Sequence, residues 1–350
     1  MDSAQPVIRS EPEPIDLAAR ATANSVPPER AFALFDIFID RDGGLRAIWG
    51  IVLFLLFREV LGYVAFPILE AIVPPMPGKG AAISPRLVFA SEGAALLCVA
   101  GATFLMAQIE RCPVSTYGFS PRRGAHYFLG GAIWGAVLLS LLVATLRATG
   151  LLAFDARLLV GRSALEYGFT WLAGFLLVGM AEEVLLRGYL QFTLTRGLSE
   201  IYAWLFGPTR ADAAGFWTAA TILSFIFGFG HRTNPGESPL GLLSAGAIGL
   251  VFCLTLWRTG SLWWAIGFHA AWDWAQSFLY GVADSGLIVR GRLFATHPVG
   301  KPILSGGLTG PEGSVFLYPV LAACLAAIVF TLPRPQMDCA PASAAQARLD

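Results

Sequence analysis

Residues 174–194 read GFLLVGMAEEVLLRGYLQFTL, an apolar run that carries Glu182, Glu183 and Arg187 near its middle. A bilayer-spanning helix needs about 20 residues. A charge at bilayer depth costs at least a few kcal/mol, so it normally faces a partner or a water-filled cavity and carries function. As one helix, the run sets Glu183 and Arg187 at i and i+4, on one face and within pairing reach. Glu182 is rotated about 100° away and has no such neighbour, so its partner must come from another helix. A buried carboxylate placed in this way suits a general base that takes a proton from water.

Two segments downstream have the same character. FIFGFGHRTNPG, residues 225–236, sets Phe227 and His231 one turn apart, with Gly228 and Gly230 leaving room for another backbone. SLWWAIGFHAAWDWAQ, residues 261–276, sets His269 and Asp273 at i and i+4. Each group has a purely structural reading: a bracing ion pair, a histidine capping a helix end, a hydrogen-bonded pair between helices. Three such groups, each costly in lipid, point instead to chemistry. Together they offer a base, two imidazoles and a further carboxylate, enough to activate water and stabilise an oxyanion. The other two histidines, His126 and His297, fall at loop edges and are assigned no role.

Composition settles the class. Charged residues are 14% of the chain and hydrophobic residues 55%, against about 25% charged in a soluble domain. Mean hydropathy is +0.63, so an all-α polytopic transmembrane bundle is expected. Net charge is zero, which gives no sign of a nucleic-acid or polyanionic partner. The five cysteines (Cys98, Cys112, Cys253, Cys324, Cys339) show no CxxC spacing, and neither a disulfide framework nor a zinc knuckle is expected. Residues 1–45 read as a tail, Pro-bearing at first and amphipathic over Ala31–Asp40, without the basic and apolar order of a cleaved signal peptide.

Residues 46–333 read as about eight spans: 46–73, 84–109, 126–147, 167–195, 213–231, 239–257, 260–282 and 314–333. Residues 334–350 form a polar tail. Arg58 and Glu59, inside the first span, are expected to face protein or to snorkel. The arginines of RCPVSTYGFSPRR (111–123) and of the N-terminal tail place both termini in the cytoplasm, and the expected location is a bacterial inner membrane. Gly241, Ala245 and Gly249 form a small-residue ridge for helix packing. Trp263, Trp264, Trp272 and Trp274 either wall a site for a lipidated or transmembrane peptide or, for at least two of them, sit in an interfacial belt.

Taken together, Glu182-Glu183-Val-Leu-Leu-Arg187, Phe227-Gly-Phe-Gly-His231 and His269-Ala-Ala-Trp-Asp273 resemble the motifs of the CPBP family of CAAX-protease and bacteriocin-processing (Abi-type) intramembrane proteases. The stretch WRTGSLWWAIGFHAAWDW looks like that family's approach to its last motif, and the resemblance covers roughly 167–282. It implies hydrolysis of a peptide bond of a membrane-associated or lipidated peptide inside a helical bundle, with membrane lipids around it. Carried over by position, Glu182 would activate the water with help from His231. His269 and Asp273 would bind the oxyanion or orient the scissile carbonyl, and Glu183 and Arg187 would hold the helix and its base. The family more often has asparagine where this chain has Asp273. An ionised carboxylate repels an oxyanion, so Asp273 must be protonated, orient His269 or ligate a metal.

The family is often labelled metalloprotease, and Glu182, His231, His269 and Asp273 are a set that zinc accepts. There is no HExxH helix, and a metal-free glutamate–histidine mechanism fits the same residues. Two other classes compete with the protease: a non-catalytic membrane scaffold or immunity protein on the same bundle, and a proton-coupled transporter. Transporters usually show repeated halves, and no repeat is visible in this chain.

Overall fold

The computed structural model describes Phe38 and residues 44–72, 82–120 and 123–334. The expected tails, 1–45 and 334–350, lie outside these residues except for Phe38, Gly44, Leu45 and Arg334. Ten helices and two strands are found among them. The long helices are α1 (Ala47–Ile72), α2 (Pro85–Glu110), α3 (Gly124–Ala148), α4 (Gly161–Glu183), α5 (Gln191–Phe206), α6 (Ala211–Gly230) and α7 (Pro239–Thr259). The shorter ones are α8 (Trp263–Asp273), α9 (Pro302–Ser305) and α10 (Leu317–Thr331). β1 (Leu152–Arg157) and β2 (Phe294–Pro298) pair antiparallel, with a bulge between Phe154 and Ala156.

Helix starts follow local chemistry. Ser84 and Ser238 accept hydrogen bonds from the backbone N–H of Leu87 and Gly241, and each is followed by proline. Such capping satisfies one of the orphan N–H groups of a first turn, and proline there sacrifices no intrahelical bond.

Six helical stretches are long and apolar enough to cross a membrane: Ala47–Leu69, Pro85–Glu110, Gly124–Ala148, Gly161–Phe206, Ala211–Thr233 and Pro239–Thr259. The expected seventh and eighth spans are helical at their places, as α8 and α10, but shorter than that criterion requires. The chain is an all-α, multi-pass membrane bundle. Its outer surface is apolar as lipid demands: Leu129, Ile133, Val137 and Leu141, four residues apart on α3, are all exposed. Leu138, Leu142 and Leu146 on the other face are buried in a core shared with α7, α8 and α10. Arg58 and Glu59 pair with one another at 3.0 Å and stay partly exposed.

The expected single helix over 167–195 is interrupted. After Glu183 the chain widens into a π-helical stretch, Val184–Leu190, and leaves helical geometry at Gly188 (φ −79°, ψ −109°) before α5 resumes. A second π-helical stretch, Trp274–Leu279, follows Asp273 directly. Such stretches are rare and frequently mark functional sites.

α8 sits at the centre, packed against both α3 and α4. The α3–α8 crossing is backbone against backbone. A Cβ on Gly135 would lie 2.4 Å from the Phe268 carbonyl oxygen, one on Gly131 2.0 Å from that of Trp264, and one on Gly267 2.1 Å from that of Phe128. Small residues permit this approach in membranes, where dispersion rather than water exclusion drives helices together. Of the four tryptophans, Trp264 and Trp272 are buried, the half-buried Trp274 donates to the Gly168 carbonyl, and the half-buried Trp263 packs on Gly124. Gly267→Leu should therefore lower the melting midpoint in detergent by an amount equivalent to at least about 1–3 kcal/mol, and an unchanged midpoint would contradict the crossing.

Candidate active site

Glu182 and Glu183 occupy the last turn of α4, His231 the residue after α6, and His269 with Asp273 the C-terminal half of α8. His269 is the hub. Its Nδ1 lies 3.0 Å from Glu183 Oε1, and its Nε2 lies 3.6 Å from Glu182 Oε2 and 3.5 Å from Asp273 Oδ2. A carboxylate only accepts hydrogen bonds, so Nδ1–H donates to Glu183 and Nε2 is turned towards the other two carboxyls. Glu182 thus finds its partner on another helix, as its position required.

Glu183 and Arg187 form the expected i,i+4 pair at 3.0 Å, and both are essentially fully buried. Glu183 does more than balance Arg187, since the same oxygen holds His269. The Arg187 guanidinium lies over the rings of Phe227 and Phe252, 4.5 and 5.6 Å from their centroids. A desolvated cation over an aromatic face gains about 2 kcal/mol or more. Gly249 makes the slot possible, because a Cβ there would meet Arg187 Nη2 at 2.7 Å. Phe227 also stands edge-on to His231 and His269, with centroids 4.9 and 6.3 Å away. His231 donates through Nδ1 to the Phe227 carbonyl at 2.8 Å, which leaves its Nε2 without a hydrogen bond among the described residues.

Glu182, His231, His269 and Asp273 line one cavity of about 560 Å³ inside the bundle. His231 and Glu182 share that cavity without a direct hydrogen bond. Three more acidic residues line it that the motifs did not bring forward: Glu92 on α2, and Asp284 and Glu312 in the segments after α8. Glu312 accepts from Trp272 Nε1 and Ser285 Oγ, each at 3.0 Å, which ties the connections that carry Ser285 and Glu312 to α8. Asp284 accepts from Ser277 Oγ at 2.9 Å. Burial first, then the neighbouring Asp273 and Glu312, push the Asp284 carboxyl well above the usual range. Glu92 was findable from sequence, being the one charged residue between Arg86 and Glu110. Asp284 and Glu312 lie in polar connections where an acid carries no signal.

Among the described residues no three His, Cys, Asp or Glu side chains converge as a metal site. The ring of His231 is tethered to its own helix, and His269 Nε2 already faces two carboxyls. Glu182, His231, His269 and Asp273 do not converge as a zinc site in this arrangement.

Residues 164–275 match the family model of type II CAAX prenyl endopeptidases, Rce1-like. The chain carries an Rce1-like domain. All seven motif residues, from Glu182 to Asp273, fall within that match, whereas Glu92, Asp284 and Glu312 lie outside it. No curated protein and no solved structure shows a match to the chain.

Two outcomes follow for stability. Arg187→Ala leaves Glu183 buried without its cation and should cost about 3–5 kcal/mol, read as lost folded yield, while Glu183→Gln combined with Arg187→Leu should recover much of it. The raised Asp284 pKa means that the folded state holds this proton more tightly than the unfolded chain. The resulting stability is present below the unfolded value of about 4 and is lost as pH rises towards the folded value. Asp284→Asn should therefore melt with less loss between acidic and neutral pH than wild type.

Proposed function

We propose that the protein is an intramembrane endopeptidase that hydrolyses a peptide bond of a membrane-associated or lipidated peptide, acting in a bacterial inner membrane with its termini in the cytoplasm. The observation that carries this reading is the gathering of Glu182, His231, His269 and Asp273 around one cavity within the bundle, with Glu182 3.6 Å from an imidazole nitrogen. The Rce1-like match over the same residues supports it.

In this reading a water in the cavity is held between Glu182 and His231. Glu182 takes its proton as the oxygen attacks the scissile carbonyl carbon. His269, oriented through Nδ1 by Glu183, presents Nε2 to the developing oxyanion and stabilises it when protonated. That role accounts for aspartate at 273. A carboxylate alone would repel the oxyanion, but beside the His269 imidazolium its charge is balanced, and it helps to keep the imidazole charged and in place. Arg187 and Phe227 act through Glu183 and the two histidines; they position the site and do not touch substrate.

The test is a prenylated CAAX peptide incubated with the full chain in lipid nanodiscs, with products identified by mass spectrometry. Wild type should cut the peptide, and Glu182→Gln should yield no product while melting within about 2 °C of wild type, because shape is kept and only the proton acceptor is lost. Equal cleavage by both proteins would end the assignment of Glu182 as base.

A further inference from the structure

Peptide hydrolysis needs two proton transfers, one from the attacking water and one to the departing amine nitrogen. Glu182 serves the first in the function proposed above. The second proton can be returned by the same group or supplied by a separate acid that reaches the scissile bond from another direction. α4 is flanked by two helices that approach it from different sides: Gly174 faces Val88 and Phe89 of α2, while Gly179 faces Ile266, His269 and Ala270 of α8. Five residues separate the two glycines, which places those contacts about 140° apart around α4. His269 comes to Glu182 from the α8 side. From the α2 side comes Glu92.

Glu92 stands within the apolar span Pro85–Glu110, lines the same cavity as Glu182 and is within Coulombic range of it. Its hydrogen-bond partner is its neighbour Ser91, at 3.4 Å, and among the described residues no cation pairs with it. A carboxyl kept within an apolar span without a cation to balance it is the pattern that marks function. The two acids also differ in surroundings. Glu182 sits beside an imidazole, whereas the hydrogen-bond partner of Glu92 is the Ser91 hydroxyl. Two carboxyls in unlike surroundings divide the acid and base roles between them.

We propose that Glu92 is a catalytic residue, the general acid that protonates the leaving amine, paired across the cavity with Glu182 as the base. This rests on the hydrolase reading of the cavity. The water oxygen bonds to the carbonyl carbon and its proton passes to Glu182. When the C–N bond breaks, its electron pair stays on nitrogen, which takes the Glu92 proton. The proton on Glu182 then returns to Glu92 across the cavity. The sum is one peptide bond and one water converted to a carboxylic acid and an amine, with both glutamates restored.

The experiment uses the full chain in nanodiscs and a fluorescent farnesylated CAAX peptide as probe, comparing wild type, Glu92→Gln, Glu92→Asp and Glu182→Gln. The expected result for Glu92→Gln is a kcat about 100-fold lower or worse, with KM within about twofold of wild type. The wild-type rate should fall as rising pH removes the acid's proton, and that alkaline limb should be missing in Glu92→Gln. Glu92→Asp should recover part of the rate. A kcat for Glu92→Gln within about threefold of wild type, or a loss that leaves the pH profile unchanged, overturns the proposal. An active Glu182→Gln defeats the base assignment itself, whereas an inactive Glu182→Gln beside a fully active Glu92→Gln defeats only the role of Glu92. A readout independent of turnover is the infrared difference between wild type and Glu92→Gln at neutral pH. It should contain a protonated-carboxyl C=O band, and its absence overturns the proposal even if the probe is not cut.

Discussion

A buried ion pair with an imidazole attached to it governs the rest of this structure. Arg187 and Glu183 are cut off from water, and Glu183 uses the same oxygen to hold His269. A charge so placed is tolerated only while every partner is in position. The Arg187 slot requires Phe227 from α6, Phe252 from α7 and the bare backbone at Gly249. Four elements are therefore fixed relative to one another by a single guanidinium. The direction in which His269 presents Nε2 is a consequence of that fixation, as is the proximity of Glu182 to it. The demands of burying an ion pair and of orienting a reactive imidazole are met by the same atoms.

Both carboxyl-bearing helices lose regular α geometry directly after their acidic residues, α4 after Glu183 and α8 after Asp273. A π-helical stretch inserts an additional residue per turn, which rotates all that follows around the axis. On α4 this separates two faces with different tasks. Glu182 and Glu183 face α8, and beyond the break Tyr189 and Arg196 turn to Glu110 at the far end of α2. Tyr117 joins the same carboxylate. An uninterrupted helix of that length would hold to one periodicity and could not satisfy both sets of partners.

Much of this was legible in the sequence because lipid simplifies the reading. In a bilayer a polar residue has few reasons to exist, so Glu182, His231, His269 and Asp273 stood out, and the i,i+4 spacing of Glu183 with Arg187 foretold their contact. The same logic pointed to Glu92, but it has no motif around it and was not singled out. Spacing on one helix is silent about bonds between helices, so the second role of Glu183, as acceptor for His269, emerged only from the fold. An apolar run is equally silent about which of its tryptophans are enclosed: Trp264 and Trp272 are buried, whereas Trp263 and Trp274 are only half-buried. The breaks at Gly188 and after Asp273 leave hydropathy unchanged, and the small β1–β2 sheet is too short to carry a pattern.

The glycine-to-carbonyl contacts between α3 and α8 bear on where the working unit ends. The Rce1-like match begins after α3, yet α3 contributes Gly131 and Gly135 to a seam so close that no side chain separates the two backbones. Cut free at the edges of the match, α8 would be left with a shallow trench along one side, shaped for a helix and too narrow for most lipid chains to fill well. The segment defined by shared motifs and the unit that can stand by itself in a membrane are then two different objects, and the boundary of the second lies at least one helix further out.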